Sequence, residues 1–448
     1  MSIPFGFSPG GNDNDGLAAM FENLGRMLRN SGAENADAVD WLTANQTSRQ
    51  ALNKVGDPQI TSDQQSAIES ANELAEIWLN DATSFPSLGI PLVPSTRGEW
   101  LDKTFDVWKL IVEPVAEGIA NAMTSILPQG KDGQELQLPE ELLAGLPEEA
   151  AASMRELLSS QNLSEILGPI MGMARSMGAT MFGNQFGQVL ATMSTEVLSF
   201  SDVGIPLTET SDPTLVLANI NEFSKDLSIS SADILIYVAL RELAHQRLFA
   251  HTPWLRSQAL TAIGDYARGV KIDTNKIEVI ISQSDPQDLE SMQTTLGSEL
   301  FEGTTSPEQQ AALARLELLL ALIEGWVTTV VTSAISNRLP SAVALEETFR
   351  RRRAAGGPAE KLFSGLVGLE LRPRRLREAN ELWTGLTRER GVVERDALWL
   401  HPDLLPNADD IDNNEGFIAG QTHDLMSDLD KAMETPGPTE DPQQPSAE

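Results

Sequence analysis

Residues 230–255 read SSADILIYVALRELAHQRLFAHTPWL, and this stretch decides the fold class. Ser230 and Asp233 have the spacing of a helix N-terminal capping box, and the ILIYVAL run that follows is apolar on every side. A helix without a polar face belongs in an interior, so the segment predicts a helix running through the middle of a helical domain. Arg241, Glu242 and His245 come next. Charged groups at the end of such a run need partners, because isolated ionisation away from water is costly. Functional residues are therefore sought here first.

A second segment has the same character. Residues 313–335 read LARLELLLALIEGWVTTVVTSAI, in which Glu324 is the sole ionisable residue between Leu318 and Val331. A lone carboxylate in so apolar a helix has to be hydrogen-bonded, paired, metal-bound or protonated. Helical periodicity also dominates residues 37–205, punctuated at Gly56-Asp57-Pro58, at Pro86 to Pro94 and at Leu127-Pro128-Gln129-Gly130. The alternating Met and Gly residues between Leu167 and Met193 read as tightly crossing core helices. Strand signals are scarce, and the best of them, IEVIIS at 277–282, predicts at most a small edge element. The expected fold class is mainly α, with at most a small β element and disordered acidic tails.

The chain divides by composition. A Gly-, Pro-, Asn- and Asp-rich arm at 1–16 is expected to be disordered, and Leu17, Met20, Phe21, Leu24, Met27 and Leu28 then mark an amphipathic helix. That helix opens an N-terminal helical region, 17–205, which is followed by a core at 206–340 holding the two apolar helices. A basic C-terminal helical region at 341–406 and an acidic, Pro-rich disordered tail at 407–448 complete the division.

Charge and cysteine content narrow the function classes. The 448 residues include 65 acidic and 32 basic side chains, a formal net charge of -33, and no cysteine. A disulfide framework, a thiolate metal site and a cysteine nucleophile are excluded, leaving carboxylates and the four histidines as the protein's metal ligands. So acidic a chain repels phosphate backbones and anionic membranes, which argues against nucleic-acid and membrane partners. The balance inverts locally, with 12 basic and eight acidic residues between Ser341 and Arg395. The run Arg350 to Arg353 reads as pairing with the protein's own acidic surface, since few aromatics accompany the arginines to stack on bases. The N-terminus lacks the basic start and apolar stretch of a secretory signal, so the expected location is the cytoplasm. No phosphate-binding loop is present, and the GxSxG match at Gly6 to Gly10 lies in the arm rather than at a strand-to-helix turn.

The sequence Arg241-Glu242-Leu243-Ala244-His245 resembles the HExxH helix of zincin metallopeptidases, in which two histidines one turn apart hold zinc and the glutamate activates a metal-bound water. Longer segments extend the resemblance: RELAHQRLFAHTPWL, ARLELLLALIEGWV, NRLPSA with RRRRAAGGPAEKLFSGLVGLELRPRRLREA, and DALWLHPDLLPNADDID. Together with the opening IPFGFSPGG and the EWLDKTFDVWKLIVEPVAEGI block, they are similar to an actinobacterial zincin-like family described as hydrolases or zinc-dependent metalloproteases. The resemblance covers nearly the whole chain and implies a zincin-like helical domain with zinc as cofactor. It makes Glu242 the general base, His245 a metal ligand and Glu324 the acidic ligand, with Arg241 standing in the missing histidine's place. His251 is an alternative third ligand by likeness to the extended HExxHxxGxxH pattern, although Leu248 replaces its glycine. Arginine stays protonated and cannot ligate a metal, so the expectation is a degenerate site with little or no zinc. Two functions follow: a zincin-family hydrolase, or a non-catalytic pseudoenzyme that binds a peptide or protein partner. His401 and His423 carry ordinary surface or tail roles.

Overall fold

The computed structural model describes residues 37–125, 163–208, 210, 212–268, 306–357 and 375–420. The expected arm, the amphipathic helix at 17–28, the IEVIIS run, His423 and the tail beyond 420 lie outside these residues.

The decisive segment forms a helix, and every residue from Tyr237 to Phe249 is buried. In chain order the helices up to it are α1 (Trp41–Val55), α2 (Ser62–Ala82), α3 (Arg97–Ser125), α4 (Leu163–Ser194), α5 (Leu217–Ser224) and α6 (Ser231–His251). After it come α7 (Trp254–Arg268), α8 (Pro307–Ile335), α9 (Ala342–Ala354) and α10 (Leu376–Ala397). Helix α6 packs between α2 and α8, and α8 also packs against α7 and α10. The start of α6 differs from the sequence reading: Ser230 makes no side-chain cap, and Asp233 instead accepts a hydrogen bond from the Ser341 hydroxyl at 2.5 Å. Tertiary contact with the start of α9 has displaced the local capping box.

Helix α8 begins as its sequence dictates, with Pro307 in the first turn and a reciprocal capping box between Ser306 and Gln309. Among the described residues it is the one helix long and apolar enough to cross a membrane, but 72% of that apolar window is buried within the fold. Its tryptophan, Trp326, joins Trp383 and Trp399 in the core, with the Trp383 and Trp399 rings stacked at 5.5 Å. Gly325 makes the close approach to α10 possible, because a Cβ there would lie 2.9 Å from the Ala379 backbone carbon.

A buried polar knot ties these helices together. Asp396 accepts from the Trp326 indole at 2.8 Å, from the Thr83 hydroxyl at 2.7 Å and from the Arg395 guanidinium at 2.7 Å. Arg395 also donates to the Ala82 carbonyl at 2.9 Å, satisfying an end of α2.

Among the described residues the β structure is as small as expected. Strands β1 (Val93–Ser95) and β2 (Thr214–Val216) pair in parallel, with Val93 opposite Thr214. Three-residue strands are too short to leave a periodic signal. The folded part also continues past 406, through α11 (Ala408–Asp412) and α12 (Asn414–Ile418), where Ile411 is buried.

Candidate functional site

The site lies where α6 and α8 meet, covered by α9 and by the loop before β2. Glu324 on α8 is buried, and each of its oxygens is occupied. Oε2 accepts from Arg241 on α6 at 2.6 Å and pairs with Arg353 on α9 at 2.7 Å. Oε1 lies 3.1 Å from Nε2 of His245. Burial alone would push this carboxyl up, yet the Arg353 and Arg241 guanidinium groups and His245 hold it well below the usual carboxylate range. Arg241 stacks over the Phe349 ring at 5.6 Å, so α9 supplies both an aromatic face and a second cation.

His245 is turned by its own helix. Its Nδ1 lies 2.8 Å from the Arg241 carbonyl, and its Nε2 faces Glu324. The two contacts fix the ring's orientation, with Nδ1 turned to the helix backbone and Nε2 to the carboxylate.

Glu242 is one residue from Arg241 but points into a different environment. Its Oε1 accepts from the Thr214 amide at 3.1 Å and the Gln246 amide at 3.0 Å. Its Oε2 accepts from the Ser201 amide at 3.1 Å and from the Ser201 hydroxyl. Four donors thus fix this buried carboxylate as a brace between α6, β2 and the loop at 198–205. Beside it, Phe200, Ser201, Ile205, Gln246 and Phe249 line a cavity of about 10 Å³, room for about one water molecule.

The same loop closes the site from above. Gly204 has a φ of +83°, and a Cβ there would lie 3.3 Å from Glu324 Oε1. Asp202 anchors the loop by accepting two bonds from Arg352, at 3.0 and 2.7 Å. Burial would raise the Asp202 carboxyl, but Arg352 and the Leu198 amide hold it below its ordinary value. Arg350 and Arg351 pair with Glu347, so all four arginines of the basic run meet the protein's own carboxylates.

His251 stands apart. Its ring stacks on Phe85 at 5.2 Å, and its Nδ1 faces the Arg247 carbonyl. His401 is exposed beside Asp403. The structure therefore gathers Arg241, His245 and Glu324 at one point, sets Glu242 on the adjoining face, and places His251 and His401 in other surroundings. Sequence reasoning missed Arg353, although the run containing it was expected to pair internally. It had no means of choosing which arginine reached which carboxylate.

The model of the zincin-like metallopeptidases matches residues 39–418. The chain belongs to that family. A solved structure described as a "putative hydrolase with a novel fold", from Chloroflexus aurantiacus, has the same fold, with a TM-score of 0.53 and 17% identity over 86% of this chain and 98% of that one. No curated protein sequence matches the chain.

Zinc-binding zincins hold the metal with three protein ligands and leave one position open. Among the described residues of this zincin-like chain, no three His, Asp or Glu side chains gather as a metal site. Of the expected donors, His245 and Glu324 are adjacent, but Glu324 Oε2 is held by two guanidinium groups and Nε2 faces Oε1. The residues present do not fit a zinc ion.

Proposed function

We propose that this zincin-like protein is a metal-independent, non-hydrolytic member of its family that works by binding a peptide or protein segment. The observation that carries the reading is the occupation of Glu324 by Arg241, Arg353 and His245 in a buried setting. Fixed positive charge stands where a dication would have to enter, and a second cation there is repelled. Glu242, held by four donors, acts as a brace for the loop that carries Ser201 rather than as a base for water. Peptides are the ligand class because the family is one of metallopeptidases.

Elemental analysis of the full chain, purified without added metal, tests the reading. Zinc well below one per chain is expected, together with an unchanged Tm in chelator or in added zinc and no cleavage of unstructured peptides. One tightly held zinc per chain, or peptide cleavage that chelator abolishes, overturns it.

A further inference from the structure

A second site is built where the α1–α2 connection meets α5. Residues of the α1–α2 connection, the start of α3 and one face of α5 line an open cavity of about 530 Å³, within the size range of small-molecule pockets. Four charged side chains line it: Asp57, Arg97, Glu222 and Lys225. Three are already matched. Asp57 accepts from the Arg97 and Gly98 amides at 3.0 and 2.9 Å, capping α3, while Lys225 and Glu222 pair with each other at 2.6 Å on the exposed rim.

Arg97 is different. It is only 8% exposed, and its guanidinium donates to two neutral acceptors, the Asn219 side-chain oxygen at 2.7 Å and the Gly56 carbonyl at 3.0 Å. Among the described residues no carboxylate lies in ion-pair contact with this guanidinium, and Glu222 on the same wall feels its charge only at longer range. Asn219 is itself fixed, donating to the Ser194 and Val197 carbonyls at 2.8 and 2.7 Å, so the guanidinium is held in one orientation. A buried cation hydrogen-bonded only to neutral acceptors is costly, and a rigid one at a cavity wall is a preorganised partner for an anionic group. The α5 N-terminus adds to this, because Val216 provides no side-chain cap and Leu217 and Ala218 line the same cavity.

We propose that this cavity binds the oxyanion group of a small organic ligand, a carboxylate or a phosphate, with Arg97 as its charge partner. The proposal is independent of whether the zincin-like site holds metal. It is tested on the full chain by following Tm during separate titrations with inorganic phosphate and with acetate, at fixed pH and with ionic strength held constant by chloride. A saturating rise in Tm with phosphate assigns a phosphate-bearing ligand, and one with acetate a carboxylate-bearing ligand. Arg97→Gln should weaken that response roughly tenfold or more, the range expected for a lost charged hydrogen bond. Because Arg97 also braces the fold, Asn221→Glu provides a second variant: Asn221 is exposed on the cavity wall, and a carboxylate there should repel the probe without unfolding the chain. No saturating response to either anion in the wild type, or the same response in both variants, overturns the proposal.

Discussion

At Glu324 one carboxylate serves two guanidinium groups, and this sharing sets what each substitution does. Removing one partner of a buried ion pair typically costs about 3 to 5 kcal/mol. Arg241→Ala should fall near the lower end, because Arg353 and His245 still face the carboxylate. Arg241→Ala with Arg353→Ala strips both guanidinium groups, so the pair should cost more than the sum of the single changes. Urea denaturation of the four proteins measures this coupling, and additivity within about 0.5 kcal/mol would deny a shared site. The zinc question follows the same logic. Arg241→His alone leaves Arg353 on Oε2, so zinc should raise Tm only in the combined Arg241→His, Arg353→Met variant, where two imidazoles and a freed carboxylate become available. Zinc stabilisation of the single variant would show that Arg353 does not guard the carboxylate. The pH dependence has a fixed sign. The Glu324 carboxyl lies below its ordinary value of 4.5 when folded, so the unfolded chain takes up the proton first. Its contribution is present above that pH and is lost progressively as pH falls below it, towards the lower value the carboxyl has in the fold. Glu324→Gln should flatten the acid limb of stability by about 1.4 kcal/mol per pH unit, and an unchanged slope would mean that the carboxyl is not ionised in the fold.

At the scale of elements, Gly325 holds α8 against α10 and so sets where Glu324 stands. Gly325→Ala brings two opposing effects. Helix propensity favours alanine by up to about 1 kcal/mol, whereas the new methyl would meet the Ala379 backbone, and overpacking of this kind costs about 1 to 3 kcal/mol. Steric cost should win, lowering the urea midpoint; a stabilised variant would mean that α8 and α10 separate freely. The sequence made α6 and α8 legible because each carries a long apolar run broken by one polar cluster. It also set Arg241, Glu242, His245 and Glu324 at one site, since one turn of helix and one lone carboxylate left few alternatives, but only Arg241, His245 and Glu324 meet there, and Glu242 turns to Ser201 and Thr214. The rest was tertiary. Glu242 is held by Ser201 and Thr214, which lie 41 and 28 residues away, and Asp233 gave up a local cap for Ser341. The methionines of α4 show the same limit: Met193 is buried, while Met177 and Met181 are exposed, because composition states what could pack but not which face turns inward.

Over the whole molecule, charge acts in two opposed ways that salt separates. Exposed pairs such as Arg49 with Asp102, Arg377 with Glu381 and Arg388 with Glu389 attract, and each is worth about 0 to 1 kcal/mol before screening. Against them stands the repulsion of a net charge of -33. Between about 0.01 and 0.15 M salt the screening length falls from roughly 30 to 8 Å, which removes long-range repulsion while leaving contacts at hydrogen-bond distance less affected. The buried groups around Glu324 and Asp396 are shielded from mobile ions and should contribute little to the change. Tm should therefore rise over that range of sodium chloride, at neutral pH, in the wild type and in Glu324→Gln alike. A fall in both would show that local ion pairs outweigh the net charge. A rise in the wild type alone would place the salt-sensitive charge at Glu324, contrary to its burial between two arginines.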